Sequence, residues 1–219
     1  MFNPLMESTV LGLKLSGTVC EFGSQRYGGT KGYSSVKAFY LGNGFTKYVP
    51  LDVNNAADVV LTDLNYPVEG LGQFDLVTNN GTSEHLWNQH QVFLNAHNLC
   101  KVGGVMLHVL PFTPYYNHGF FNYNPCLFRD LATANDYEIL VARLGHRDGK
   151  RVDLGPWGYR WHRNQELEDA IKKLTPVMCV FALKKTREDF RMPMQGKYAP
   201  DVKDESLKER YGIDSRQAG

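Results

Sequence analysis

The chain has 219 residues, a formal net charge of +1, and 42% hydrophobic against 21% charged residues, the composition of an ordinary globular protein. That length holds one sizeable core with an appendage rather than two full domains. Near-neutral charge gives no general footing for nucleic acid or an anionic membrane surface, and no apolar stretch approaches the ~20 residues that span a bilayer. Residues 1–16 mix Asn3, Pro4, Glu7 and Lys14 with apolar residues and do not read as a secretory signal. The four cysteines, Cys20, Cys100, Cys126 and Cys179, are far apart and form no CxxC or zinc spacing. Cys20 and Cys179 fall inside apolar runs, as buried free thiols do, so a reducing, cytoplasmic setting is expected.

In chain order, the periodicity alternates short β runs with helices and predicts a mostly parallel sheet covered on both faces. Strands are expected at 17–22, 47–52, 58–63, 74–79, 104–110, 137–144 and 177–184. A first helix is predicted over 33–41, after Gly28-Gly29. A stronger one spans 84–100, with Thr82-Ser83 as N-cap candidates and Gly103-Gly104 beyond its end. Leu86, His90, Phe93, Leu94, His97 and Cys100 share one face of that helix. A short helix starts near Pro125 and takes in Asp130 to Asn135, and a charged one covers 164–174 before Pro176. Two segments read as additions. Residues 145–163 carry Arg147, Lys150, Arg151, Arg160 and Arg163 with Trp157, Tyr159 and Trp161. Residues 186–219 balance seven Lys/Arg against seven Asp/Glu and are set apart from the 1–185 domain as a polar extension, a possible route to a homo-oligomer.

The strand ends carry the functional signal. Val19-Cys20-Glu21-Phe22-Gly23-Ser24-Gln25 ends the first run in a loop, Asp52 closes the second, Asp63 the third, and Thr78-Asn79-Asn80-Gly81 the fourth. A parallel α/β sheet binds ligands outside the carboxyl ends of its strands, so these residues describe one nucleotide-like crevice. Each aspartate taken alone is an ordinary turn residue; the ordered set points to a cofactor.

These segments resemble the class I S-adenosylmethionine-dependent methyltransferases over residues 17–185. The resemblance rests on Val19 to Gln25, Leu51-Asp52-Val53-Asn54, Thr62-Asp63-Leu64-Asn65, Phe74-Asp75-Leu76-Val77, and Leu99-Cys100-Lys101-Val102-Gly103-Gly104-Val105-Met106-Leu107-His108. It implies a Rossmann-like sheet of seven strands, the last antiparallel, and S-adenosylmethionine as cofactor. The first motif departs from the family's Gly-x-Gly-x-Gly: only Gly23 keeps its place, followed by Ser24 and Gln25. The helical cap before that motif reads as very short. By the resemblance, Glu21 and Gly23 organise the methionine side with Ser24, Gln25 and Asn79, Asn80 and Gly81. Asp52, with Val53 beside it, takes the ribose, and Asp63 and Leu64 take the adenine.

The acceptor is expected to be a small or sugar-containing molecule methylated at oxygen or nitrogen. His85 and His118 are the base candidates, because imidazole titrates near neutral pH, and Glu84 could orient His85. The aromatic and amide-rich stretch after the fifth strand, with Phe121, Asn122 and Tyr123, suits an acceptor pocket. His90, His97 and His108 read as core or pocket-wall residues. With no HExxH or Asp-Asp pair, no catalytic metal is expected. The arginines of 145–163 with Trp157 or Trp161 could take an anionic acceptor, although a solvated basic loop is the plainer and preferred account, and nucleic acid is not expected. Two other readings stay open: a catalytically silent methyltransferase-like binding subunit, and a dinucleotide-dependent oxidoreductase, whose G-x-G-x-x-G fingerprint the segment Gly23 to Gly28 lacks.

Overall fold

The computed structural model describes residues 1–155 and 165–213, with the side chain of Leu167 excluded. Eight strands form one sheet in the order β3-β2-β1-β4-β5-β8-β6-β7. Strands β1 (Gly17–Phe22), β2 (Phe45–Asp52), β3 (Val60–Leu61), β4 (Phe74–Asn80) and β5 (Cys100–Thr113) pair in parallel. The last strand, β8 (Val177–Lys184), inserts antiparallel between β5 and β6 (Glu138–Gly145). This is the expected sheet, with one strand more: β7 (Arg151–Asp153) pairs antiparallel with β6 at the edge, inside the segment read as an addition.

Side chains alternate across the sheet with the period of two that a doubly covered strand requires. Cys20, Phe22, Val77, Met106, Leu110, Cys179, Phe181 and Leu183 enter one core with α3 (Gln89–Leu99), α4 (Pro125–Ala134) and α5 (Gln165–Leu174). Val19, Leu76, Val105, Leu107, Val109, Val180 and Ala182 enter the other with α1 (Pro4–Leu13) and α2 (Val36–Gly42). Each fully buried large side chain adds about 1.5–3 kcal/mol.

Three expectations need correction. The N-terminal cap is not very short: α1 has ten residues, begun by Asn3, whose side chain accepts from Met6 N at 3.0 Å, and by Pro4 in the first turn. The helix expected over 84–100 is broken. Ser83–His85 forms one 3₁₀ turn, and α3 starts afresh at Gln89, capped by Asn88 Oδ1 accepting from Gln91 N. That break leaves Leu86 outside the helix and His90 exposed, while Phe93 and His97 are buried. Finally, β5 begins at Cys100 rather than 104, because Gly103-Gly104 forms an irregularity in the strand instead of a helix stop. Gly103 has φ +85°, and a Cβ on Gly104 would lie 3.0 Å from the Phe74 carbonyl.

Residues 186–213 run along α3 and α4. His97 Nε2 donates to Glu188 O at 2.8 Å, Asn135 exchanges hydrogen bonds with the Arg191 backbone, and Gly196 N donates to Asp130 Oδ1. The last described helix is α6 (Glu205–Tyr211). Trp157, Tyr159, Arg160, Trp161 and Arg163 lie outside the described residues. Among those described, no helix is long and apolar enough to cross a membrane.

Candidate functional site

At the carboxyl ends of β1, β2 and β4 the chain forms a cleft of about 230 Å³, lined by Gly23, Gln25, Asp52, Val53, Thr62, Leu64, Gly81, Thr82, His85 and Leu86. Its floor is the turn after β1. Gly23 sits at φ +82°, and an added Cβ would stand 2.5 Å from Thr82 Oγ1, so the turn accepts glycine alone. Three hydrogen bonds hold it: Gly23 N to Leu51 O at 2.7 Å, Ser24 N to Asp52 Oδ2 at 2.6 Å, and Thr82 Oγ1 to Phe22 O at 2.7 Å. Gln25 Nε2 donates to Asn80 O at 3.0 Å and ties the turn to β4. Asp52 also accepts from Asn54 N through Oδ1. A carboxylate has about four acceptor sites, so each oxygen keeps capacity toward the cleft.

Beneath the turn, the Glu21 carboxyl is fully buried. Tyr48 donates its hydroxyl to Oε2, while among the described residues no hydrogen bond of proper geometry reaches Oε1. Burial pushes this carboxyl up to about 8, against the smaller opposing pull of the Tyr48 hydroxyl.

Beyond Gly81, the 3₁₀ turn puts Glu84 and His85 beside the loop that leaves β5. That loop is clamped onto the Glu84 backbone: Phe120 N donates to Glu84 O at 2.7 Å, and a Cβ on Gly119 would meet the same oxygen at 2.8 Å. The clamp brings His118 Nε2 to 3.3 Å from Glu84 Oε1, with His85 Nε2 at 3.8 Å. The Glu84 side chain is fully buried, and burial raises its carboxyl above the ordinary range. A neighbouring pocket of about 370 Å³, lined by His85, Asn117, His118, Gly119 and Phe120, shares His85 with the cleft.

Solved structures with this architecture include the O-methyltransferase from a trans-AT PKS multienzyme of Brevibacillus brevis, in complex with S-adenosyl-L-homocysteine. It is 16% identical, with a TM-score of 0.51 over 82% of this chain and 71% of that one. The chain has the class I S-adenosylmethionine-dependent methyltransferase fold. The N-methyltransferase NodS from Bradyrhizobium japonicum WM9 shares it at 12% identity and a TM-score of 0.54, over 84% of this chain and 89% of that one. So does the plantazolicin methyltransferase BpumL, at 10% identity and a TM-score of 0.53, over 84% and 83%. No protein-family model and no curated protein matches the sequence.

On this methyltransferase fold, the sequence-predicted cofactor residues Gly23, Gln25, Asp52, Val53, Leu64 and Gly81 meet in the cleft. Ser24 contributes its backbone N–H to Asp52, and Glu21 lies under the turn. Asp63 does not line the cleft: it is exposed, and its Oδ1 accepts from Asn65 N and Nδ2. Asn79 is turned inward to Ser83 and His108, and Asn80 donates to Met1 O. His108 is held neutral by burial, its pKa lowered to about 3.

Phe121, Asn122 and Tyr123 do not face the His85–His118 pocket. They line a separate, larger cavity of about 510 Å³ between α3, α4 and residues 190–195, and Tyr123 bonds Ser83 and Gln89 through its hydroxyl. Sequence reasoning did not assign Thr62, Thr82 and Leu86 to the cleft or Asn117 to the pocket beside His118, while Phe120 belongs to the aromatic stretch already read as acceptor-facing. Thr62, inside the third motif, and Thr82, next to the Asn79 to Gly81 strand end, carried a signal in the sequence. Because Gly23 has no room for a Cβ, Gly23→Ala is expected to cost about 1–2 kcal/mol from the left-handed backbone alone. Chemical denaturation of the variant checks this, and a loss below 0.5 kcal/mol would contradict the strained turn.

Proposed function

We propose that this chain is an S-adenosylmethionine-dependent methyltransferase acting on a small molecule. The observation that carries the reading is the turn at Gly23: a backbone without room for a Cβ, fastened to Asp52 and Thr82 above the fully buried carboxyl of Glu21. These residues fit the cofactor. Asp52 keeps acceptor capacity for a pair of ribose hydroxyls, Val53 and Leu64 offer apolar contact to a base, and Glu21 offers an acceptor to an ammonium group. Bound there, the cofactor supplies an electrophilic methyl group on a sulfonium centre.

The chain's own residues then have to align an acceptor and exclude water. The His85–His118 pocket adjoins the cleft, so the acceptor belongs there, beside Asn117 and Phe120. Fold likeness alone does not carry an activity; the adjacency of a cofactor-shaped turn and a polar pocket supports it. NodS and BpumL are named as methyltransferases, and BpumL was crystallised with a monoazolic desmethylPZN analog, which favours a small acceptor here.

Calorimetric titration with S-adenosylmethionine and S-adenosylhomocysteine, with NAD as control, tests the reading. Binding of the first pair is expected, and Asp52→Ala should weaken it by about 2 kcal/mol, the scale of lost hydrogen bonds to a charged group. That is about 30-fold in Kd. No binding of either compound, or binding of NAD in their place, would overturn the assignment.

A further inference from the structure

We propose that Glu84, His85 and His118 bind one divalent transition-metal cation, whose remaining coordination positions face the adjoining pocket and take a hydroxyl oxygen of the methyl acceptor. The acceptor half of this proposal rests on the methyltransferase reading; the cation site itself does not.

The three residues offer ligand atoms that all lie within 4.8 Å of one another. Two donors bonded to one ion at about 2.1 Å stand about 3.0–3.5 Å apart. The Glu84 Oε1–His118 Nε2 separation is already 3.3 Å and that to His85 Nε2 is 3.8 Å, while the widest spacing in the set, up to 4.8 Å, needs about an ångström of imidazole movement. Both imidazoles are about half exposed, at 48% for His85 and 44% for His118, so they can rotate inward without disturbing a core.

The second observation is Glu84 itself. Its side chain is 0% exposed, and among the described residues Oε2 has no hydrogen-bond partner of proper geometry while Oε1 faces only the imidazoles, His118 Nε2 at 3.3 Å and His85 Nε2 at 3.8 Å. A buried carboxylate left this way costs several kcal/mol unless a charge compensates it. The backbone around it is built to converge. Glu84 O anchors the loop after β5 through Phe120 N, Gly119 admits the close approach, and Asn117 takes a left-handed φ of +58° just before His118.

Two imidazoles and one carboxylate are a set for a first-row transition ion, since magnesium and calcium prefer all-oxygen shells. Three protein ligands leave at least one open position. Here that position opens on the pocket lined by Asn117, Gly119 and Phe120, which shares His85 with the cofactor cleft. An alcohol or phenol ligated to such a cation loses its proton to water near neutral pH, as metal-bound water does. Its oxygen then forms the new C–O bond as the C–S bond breaks, and that electron pair remains on sulfur.

The test strips the full-length protein with a chelator. It is then titrated with Zn²⁺ by calorimetry and with Co²⁺ by visible absorption. One saturable equivalent per chain is expected, with the ligand-field bands of a low-coordinate Co²⁺ ion. His85→Ala and His118→Ala should each weaken binding by at least about tenfold, the floor seen when even an outer partner of a ligand is removed. His146→Ala, at a surface pair with Asp148, should leave it unchanged. Glu84→Gln should lose the Co²⁺ bands; the two histidine variants, at half-exposed positions, keep the test decisive if that variant misfolds. No saturation below millimolar Co²⁺, or wild-type affinity in both histidine variants, overturns the site. S-adenosylhomocysteine titrations on the same samples separate the two readings. Retained cofactor affinity without cation binding overturns this proposal alone. Cation binding without cofactor affinity supports the site and overturns the methyltransferase reading.

Discussion

Lys185→Met is expected to destabilise the protein by about 3 kcal/mol while preserving the volume of the side chain. Lys185 is fully buried just after β8, and its Nζ donates to His97 O at 3.0 Å, Cys100 O at 2.9 Å and Glu188 Oε2 at 2.9 Å. His97 O, in the last turn of α3, already accepts from the capping Cys100 N, and the ammonium adds a second donor there and one at Cys100 O, beyond the helix end. The ammonium also opposes the negative end of the helix dipole. Methionine keeps the stem but removes the ammonium's bonds to His97 O and Cys100 O, and hydrogen bonds to a charged group are worth about 1.5–3 kcal/mol each. Glu188 is 66% exposed, so its ion pair adds little. Urea unfolding of wild type, Lys185→Met and Glu188→Ala separates the contributions: the first variant should lose most of the effect's size, the second less than about 1 kcal/mol. A Lys185→Met loss below 1 kcal/mol would mean that water replaces the ammonium there.

The same residue explains part of what the sequence did and did not disclose. Strands buried on both faces, such as β1, β4 and β8, were legible as short continuous apolar runs whose register leaves no freedom. Their polar ends, Gly23, Asp52 and Gly81, were legible for the same reason: position along a strand fixes position in the crevice. Features closed by distant partners were not. Lys185 looks like a polar residue after a strand, and nothing local says that it caps a helix placed far earlier in the chain. Gly103-Gly104 read as a helix stop because a strand irregularity and a helix terminus use the same residue. Helix α1 ends on Lys14 in a left-handed conformation rather than on glycine, so its end carried no signal.

The site divides the same way. Asp63 closes an apolar run and takes its adenine role from the resemblance, but β3 is only two residues long and the carboxylate turns to Asn65 instead. Phe121 to Tyr123 follow β5 as an acceptor loop should, yet the Glu84 clamp sends His118 toward the cleft and the next residues toward the α3–α4 cavity. Glu84 was legible only as a neighbour of His85. Its union with His118 depends on the loop's backbone hydrogen bonds, which no spacing rule encodes.

Glu21→Gln should flatten the dependence of stability on pH and remove a proton release on cofactor binding. The Glu21 carboxyl titrates near 4.5 when exposed and is raised to about 8 by burial in the folded chain. Between those values the unfolded state binds fewer protons than the folded one, so this group's contribution is fully present below pH 4.5. It falls as pH rises and is lost above 8. The integrated effect is on the order of 5 kcal/mol. Asp130, raised to about 7 by burial, adds a slope of the same sign, so the comparison must be wild type against Glu21→Gln rather than wild type alone. Unfolding midpoints in urea from pH 5 to 8 should fall less steeply in the variant. On the methyltransferase reading, an ammonium group placed against Glu21 favours its charged form, so binding at pH 6–7 expels a proton and affinity rises with pH. Calorimetry with S-adenosylhomocysteine in two buffers of different ionisation enthalpy reads that proton directly. A wild-type protein that releases none, or a variant that releases as much, would remove Glu21 from the cofactor's methionine side. The pH slope of stability would still report its burial.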